Sequence, residues 1–181
     1  MTSREVILGV SGGVAAYKSA ALASQLVQDN LAVTVVMTVA AQEFVGAATF
    51  AALTGRPVAR DMFDADRFPL GPHIELARRA GLFCVAPATA SFLAKAALGS
   101  ADDLLSTLYL SFTGTVVLAP AMNCEMWDKP AVQRNVSQLR EDGAAIVGPA
   151  EGWLSCRQRG LGRMASPESI ADEIRRRIQS S

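Results

Sequence analysis

Five short apolar runs, at residues 6–10, 32–38, 82–87, 115–120 and 144–148, constrain the fold of this chain more than any other feature. Polar residues do not alternate through them, so each run reads as a strand buried on both faces, the condition found inside a parallel sheet. The segments between them carry helical period instead. Between the first two runs, Ala15, Ser19, Leu22 and Leu26 fall at i, i+4, i+7 and i+11 and so share one helix face. Strands alternating with helices give an α/β protein: a doubly wound parallel sheet with helices on both faces, a three-layer sandwich. With 181 residues, half of them hydrophobic, the chain can bury a core without metal or disulfide staples and is expected to form one domain over 1–181.

The helix ends account for several charges. Ser100 ahead of Asp102 and Asp103 is expected to cap a helix with an acidic first turn. Ser166-Pro167-Glu168 opens a last helix that closes on Arg175-Arg176-Arg177, as the macrodipole favours. Residues 55–72 and 149–165 show no period and are expected to be long loops, which in small domains often carry function.

Composition excludes several classes of function. Seventeen basic residues balance seventeen acidic ones, so no overall field draws the chain to nucleic acid or to an anionic membrane. Residues 31–41, the longest apolar run, fall short of the roughly 18 needed to span a bilayer. Met1-Thr2-Ser3-Arg4-Glu5 lacks the layout of a signal peptide, and a cytoplasmic location is expected. The three cysteines, Cys84, Cys124 and Cys156, are odd in number and share no C-x-x-C spacing, which argues against a disulfide framework and a zinc site; no metal is expected.

Gly9-Val10-Ser11-Gly12-Gly13-Val14 ends the first strand and opens the first helix. Such a turn either offers backbone N–H groups to a phosphate or uses glycine for its own tight geometry. Lys18-Ser19 follows Tyr17 rather than glycine, so this is no Walker A motif, and no acid stands about 20 residues on to hold an NAD ribose. His73, the only histidine, follows Gly71-Pro72 at an expected helix start near the sheet's C-terminal edge, where it is either a structural side chain or an acid/base group. Pro120-Ala121-Met122-Asn123-Cys124-Glu125-Met126-Trp127 leaves a buried strand. Its Asn123 either fixes a carboxylate or amide or caps the next helix, and its methionines and indole either face a ligand or fill a core gap. In residues 152–164, Cys156 lies between glycines and among arginines, surroundings that favour a thiolate and a mobile flap. Cys84, in an apolar strand, and Cys124, without a cation nearby in sequence, are assigned to packing.

Three separated motifs then coincide: Gly-Pro-His-Ile-Glu-Leu at 71–76, Pro-Ala-Met-Asn-Cys-Glu-Met-Trp at 120–127, and Leu-Ser-Cys-Arg-Gln-Arg-Gly-Leu-Gly-Arg-Met at 154–164. With the Gly-x-Ser-Gly-Gly turn and Ala86-Pro87-Ala88-Thr89-Ala90-Ser91, they resemble the flavin-containing cysteine decarboxylases, over about residues 5–178. Within that family the likeness is greatest to the phosphopantothenoylcysteine decarboxylases. The resemblance implies a flavodoxin-like (Rossmann-type) fold and FMN held between the subunits of a homotrimer, which in some members builds dodecamers. It places Ser11, Gly12, Gly13, Thr38, Thr89, Ser91 and Ala121 around FMN. It makes His73 the active-site histidine, Asn123 with Met122 the substrate grip, and Cys156 the proton donor of a flexible clamp.

The implied reaction is decarboxylation of 4′-phosphopantothenoylcysteine to 4′-phosphopantetheine in coenzyme A biosynthesis. Direct loss of CO₂ from a cysteine would leave an unstabilised carbanion. Oxidation of the CH₂–SH end to a thioaldehyde supplies the electron sink, decarboxylation gives an enethiolate, and reduction with a proton from Cys156 completes the cycle. Two positions depart from the family pattern: Arg157 replaces the usual glycine after the clamp cysteine and is a candidate to bind phosphate, and Gly81 stands where an aspartate is common. The rival functions are oxidative decarboxylation of a peptide's C-terminal cysteine, a non-catalytic regulatory flavoprotein, and a prenylated-flavin synthase. Bacterial relatives are often fused to a phosphopantothenoylcysteine synthetase, and for this chain a separate synthetase chain is expected.

Overall fold

A computed structural model of the protein describes residues 5–180; residues 1–4, which carry most of the signal-peptide argument, lie outside that range. In chain order the elements are β1 (Glu5–Val10), α1 (Ala16–Gln28), β2 (Ala32–Met37), α2 (Val39–Gln42), α3 (Ala47–Thr54), α4 (Pro72–Arg79), β3 (Leu82–Ala88) and α5 (Ala90–Leu98). There follow α6 (Leu104–Ser111), β4 (Thr115–Pro120), α7 (Cys124–Trp127), α8 (Pro130–Glu141), β5 (Ala145–Ile146), β6 (Ala150–Trp153), β7 (Arg159–Arg163) and α9 (Pro167–Gln179).

All five expected strands form, in one parallel sheet of order β2-β1-β3-β4-β5. Because side chains alternate along a strand, the sheet feeds two cores. Val6, Leu8, Val35, Cys84 and Val117 face α1, α3 and α9. Ile7, Val36, Phe83, Val85 and Leu118 face α4, α5, α6 and α8. The chain leaves β1 for β2 on one side and reaches β3 on the other, so the strand order reverses between β1 and β3. At such a point the loops beyond the carboxyl ends part into a crevice, the usual ligand site of an open α/β sheet.

Two expectations are corrected. Ser100 does not cap α6: its N–H bonds back to Lys95 O (2.9 Å) at the close of α5. Asp103 is the cap, because Ser106 can answer it. The Asp103 carboxylate accepts from Ser106 N (2.8 Å) while Ser106 Oγ accepts from Asp103 N (3.2 Å), a reciprocal capping box. Residues 149–165 are not a long loop. They form the antiparallel hairpin β6–β7, which pairs Glu151 with Leu161 and Trp153 with Arg159. The ribbon is largely exposed and carries three glycines in its strands, so no hydrophobic alternation marks it in the sequence.

Candidate active site

Ser11 directly follows β1 and is 2% exposed. Its hydroxyl donates to Pro87 O (2.6 Å) and accepts from Thr89 N (3.0 Å), fastening the end of β1 to the end of β3. Its side chain therefore shapes the turn from within. Gly12 lies flat against α2: a Cβ there would fall 2.4 Å from Ala40 Cβ and 2.8 Å from the Ala40 carbonyl carbon, so no larger residue fits without moving backbone. Thr38 caps α2 by accepting from Ala41 N (3.2 Å), and Thr89 caps α5 by accepting from Phe92 N (3.3 Å). Ser91 is exposed in the first turn of α5. These groups surround a cavity of about 260 Å³. Its donors are hydroxyls and backbone amides at helix starts, a set suited to a phosphate ester. Lys95, also on its wall, is already engaged by Asp102 and Asp103 at 2.8 Å each.

A second cavity, of about 720 Å³, shares Gly12, Thr89 and Ser91 with the first and extends toward the hairpin. Gly13, Ala121, Met122, Asn123, Met126, Trp153, Leu154 and Cys156 line it, giving the mostly apolar walls and few polar groups that a flat aromatic cofactor and a small substrate require. Asn123 is at once cap and wall. Its Oδ1 accepts from Met126 N (2.7 Å), which holds the side chain at the start of α7 and leaves the NH₂ as its free donor pair. Trp127 is buried core, whereas Met126 stays exposed at the cavity.

The hairpin is anchored to α7. Met122 N donates to Gly162 O (2.9 Å), and at Gly162 (φ +149°) a Cβ would lie 2.4 Å from Met122 O. Cys124 Sγ donates to Gln158 Oε1 (3.8 Å) across the same seam. At the tip, Arg157 N donates to Leu154 O (3.0 Å) and Leu154 N to Gln158 O (2.9 Å), closing a three-residue loop of Ser155, Cys156 and Arg157. Arg157 takes the left-handed position of that loop (φ 61°), the position that favours glycine. Cys156 is exposed and faces the larger cavity, while Arg157 does not line it. Cys84 is fully enclosed, and burial pushes its thiol pKa up to about 12.

His73 stands in the first turn of α4, which packs on α6, and lines neither cavity. Its backbone carbonyl accepts from Ser111 Oγ (3.4 Å). Its Nδ1 is buried without a hydrogen-bond partner. One chain thus gathers the expected glycine turn, Thr38, Thr89, Ser91, Ala121, Met122, Asn123 and Cys156 around two joined cavities and leaves His73 outside them.

Two cavity residues escape sequence reasoning. Lys18, in the first turn of α1, donates from Nζ to Met164 O (3.2 Å), and Arg163 ends β7 beside it. Burial first, and then the Arg163 charge, hold the Lys18 pKa below its ordinary value. The fold alone makes them neighbours, and no local motif announces the pair.

Among the described residues no cluster of three or more His, Cys, Asp or Glu could hold a metal ion, and no helix is long and apolar enough to cross a membrane. A parallel sheet with hydroxyl-lined and apolar cavities at its switch point defines an α/β protein built to bind a phosphorylated aromatic cofactor. The chain belongs to the Flavoprotein family, whose model matches residues 1–179. It is 46% identical over 170 residues to the coenzyme A biosynthesis bifunctional protein CoaBC of Bacillus subtilis, covering 94% of this chain and 42% of that protein. It is 48% identical over 167 residues to CoaBC of Mycobacterium tuberculosis, covering 92% and 40%. The chain thus spans about two fifths of the length of these curated relatives. Among solved structures it is similar to the FMN-dependent cysteine decarboxylase SpaF (TM-score 0.86, 35% identity, 97% of this chain and 95% of that one). It is also similar to a cysteine-to-serine mutant of PPC decarboxylase in complex with pantothenoylaminoethenethiol (TM-score 0.84, 29% identity, 98% of each chain).

Proposed function

We propose that this protein is an FMN-dependent decarboxylase that converts 4′-phosphopantothenoylcysteine to 4′-phosphopantetheine. The observation that carries this assignment is the joining of a hydroxyl-lined cavity to a mostly apolar one that holds both Asn123 and Cys156. Similarity to the CoaBC proteins and to PPC decarboxylase supports the choice of substrate.

Gly12, Thr38, Thr89 and Ser91 would hold the FMN phosphate, and Gly13 and Ala121 would lie against the rest of the cofactor. When bound, FMN supplies a two-electron exchange with the CH₂–SH end of the substrate, which makes the neighbouring carboxylate labile. The NH₂ group of Asn123 orients the cysteine carboxylate or its amide, with Met122 packing beside it. The hairpin closes over the substrate and excludes water, and Cys156 Sγ–H gives its proton to the carbon that has lost CO₂. A hydrogen thereby replaces the carboxyl group and the net change is redox-neutral. His73, with a buried Nδ1 that lacks a partner, completes the site from a neighbouring copy in a homotrimer, alone or within a dodecamer. We place the enzyme in the cytoplasm. Its substrate comes from a reaction joining cysteine to a phosphorylated pantothenate, carried out by a synthetase on the same polypeptide or a separate one.

A second function, oxidative decarboxylation of a peptide's C-terminal cysteine, is consistent with the similarity to SpaF, an FMN-dependent cysteine decarboxylase. Incubation of the holoprotein with each substrate, followed by mass spectrometry, separates the two. Loss of CO₂ alone from phosphopantothenoylcysteine is expected. Loss of CO₂ and two hydrogens from the peptide, with no turnover of phosphopantothenoylcysteine, would overturn the assignment.

A further inference from the structure

The Lys18–Arg163 pair has no role in the chemistry above, yet it is built into the wall of the larger cavity. Lys18 is held toward the hairpin by its bond to Met164 O (3.2 Å). The Arg163 side chain lies over Gly152, where a Cβ would come within 3.0 Å of its Cδ and 3.1 Å of its Nη1. Six other cations, Arg56, Arg67, Lys95, Arg175, Arg176 and Arg177, each pair with a carboxylate, and none of the six but Lys95 borders a cavity described above. Among the described residues neither Lys18 nor Arg163 forms such an ion pair. Lys18 is partly desolvated and Arg163 is exposed beside it; without a counter-charge the two cations repel one another, and a dianion between them removes that cost. Neither lines the smaller cavity, where hydroxyls and amides already provide for the flavin phosphate.

We propose that Lys18 and Arg163 form an anion subsite that holds the substrate's phosphate, the end remote from the reacting cysteine. The proposal rests on the assignment of this cavity to phosphopantothenoylcysteine. Arg163 offers a planar fork to two phosphate oxygens and Lys18 a point charge to a third, charge-assisted contacts that set how tightly the phosphorylated ligand binds over its dephosphorylated form.

Calorimetric titration of the FMN-loaded protein with 4′-phosphopantetheine and with pantetheine tests this directly. Wild type is expected to bind the phosphorylated ligand about ten- to a hundredfold more tightly. Lys18→Gln and Arg163→Gln should each erode that preference, while Arg163→Lys retains part of it. A preference that survives in both glutamine variants would overturn the proposal. So would variants that weaken phosphopantothenoylcysteine but not phosphopantetheine, which would assign the pair to the carboxylate. Equal retention of FMN and riboflavin by the variants, against strong FMN preference by wild type, would assign it to the flavin and overturn it too. If wild type binds neither pantetheine compound, the substrate assignment itself fails. Inorganic phosphate then tests the pair: thermal stabilisation of wild type that both variants lose supports an anion site, and its absence overturns it.

Discussion

Arg157 occupies a backbone position where glycine has no Cβ penalty, and a non-glycine residue there costs of order 1–3 kcal/mol. Part of that gain is returned through the unfolded chain, so Arg157→Gly is expected to raise stability by about 1 kcal/mol, a shift of roughly 2–4 °C in Tm by scanning calorimetry. An unchanged or lower Tm would show that the loop does not hold this geometry in solution. The thiols separate by environment. Cys84 is enclosed and protonated in the fold, with its pKa raised to about 12, so its contribution to stability is intact below the ordinary thiol pKa. That contribution is lost progressively as pH rises from about 9 toward 12, because the unfolded thiol ionises first. Iodoacetamide at pH 8 should label Cys156 first and leave Cys84 untouched until denaturant is added, as peptide mapping would report. Asn123 and Cys156 were legible because each sits in a motif with local signal. The meeting of Lys18 with Arg163 was not, although Arg163 lies in the 154–164 motif, since Lys18 reaches this end of the hairpin only through a contact 146 positions along the chain. Arg157, singled out for its place beside the cysteine, lies at the loop tip outside the cavity wall, because a sequence neighbour across a tight turn need not point the same way.

Among the elements, the buried strands were readable because parallel strands covered on both faces must be apolar throughout. The hairpin was not, because a two-stranded ribbon with glycines at 152, 160 and 162 keeps its backbone pairing without an apolar face. The true cap of α6 was hidden by a competing signal, since Ser100 has the right chemistry but its backbone belongs to the end of α5. The tie between β1 and β3 makes a prediction at this scale. Ser11→Ala removes the side-chain bonds to Pro87 and Thr89 and should cost about 1–3 kcal/mol, lowering Tm and FMN retention together. Ser91→Ala, at an exposed position, should weaken FMN binding with little change in Tm. A loss of FMN without a loss of stability in Ser11→Ala would instead make its hydroxyl a direct ligand.

For the whole molecule, His73 lies outside the cavity that Asn123 and Cys156 line. Phe63 (93% exposed) and Leu70 (61% exposed) leave apolar surface on the segment leading to α4. Mixing His73→Asn and Cys156→Ser proteins, neither expected to form phosphopantetheine by itself, under conditions that exchange subunits should restore part of the phosphopantetheine formation if the two residues meet across an interface. No restoration by exchanged assemblies would place both in one chain's site. The central claim, a redox-neutral decarboxylation finished by Cys156, is tested most directly by anaerobic incubation of the FMN-loaded protein with phosphopantothenoylcysteine, following flavin absorbance, CO₂ and product mass for wild type and Cys156→Ser. Wild type should release CO₂ and phosphopantetheine with its flavin oxidised at the end, and the variant should release CO₂, stop at the unsaturated enethiol and leave its flavin bleached. Phosphopantetheine formed equally well by Cys156→Ser, or no CO₂ from wild type, would contradict the account.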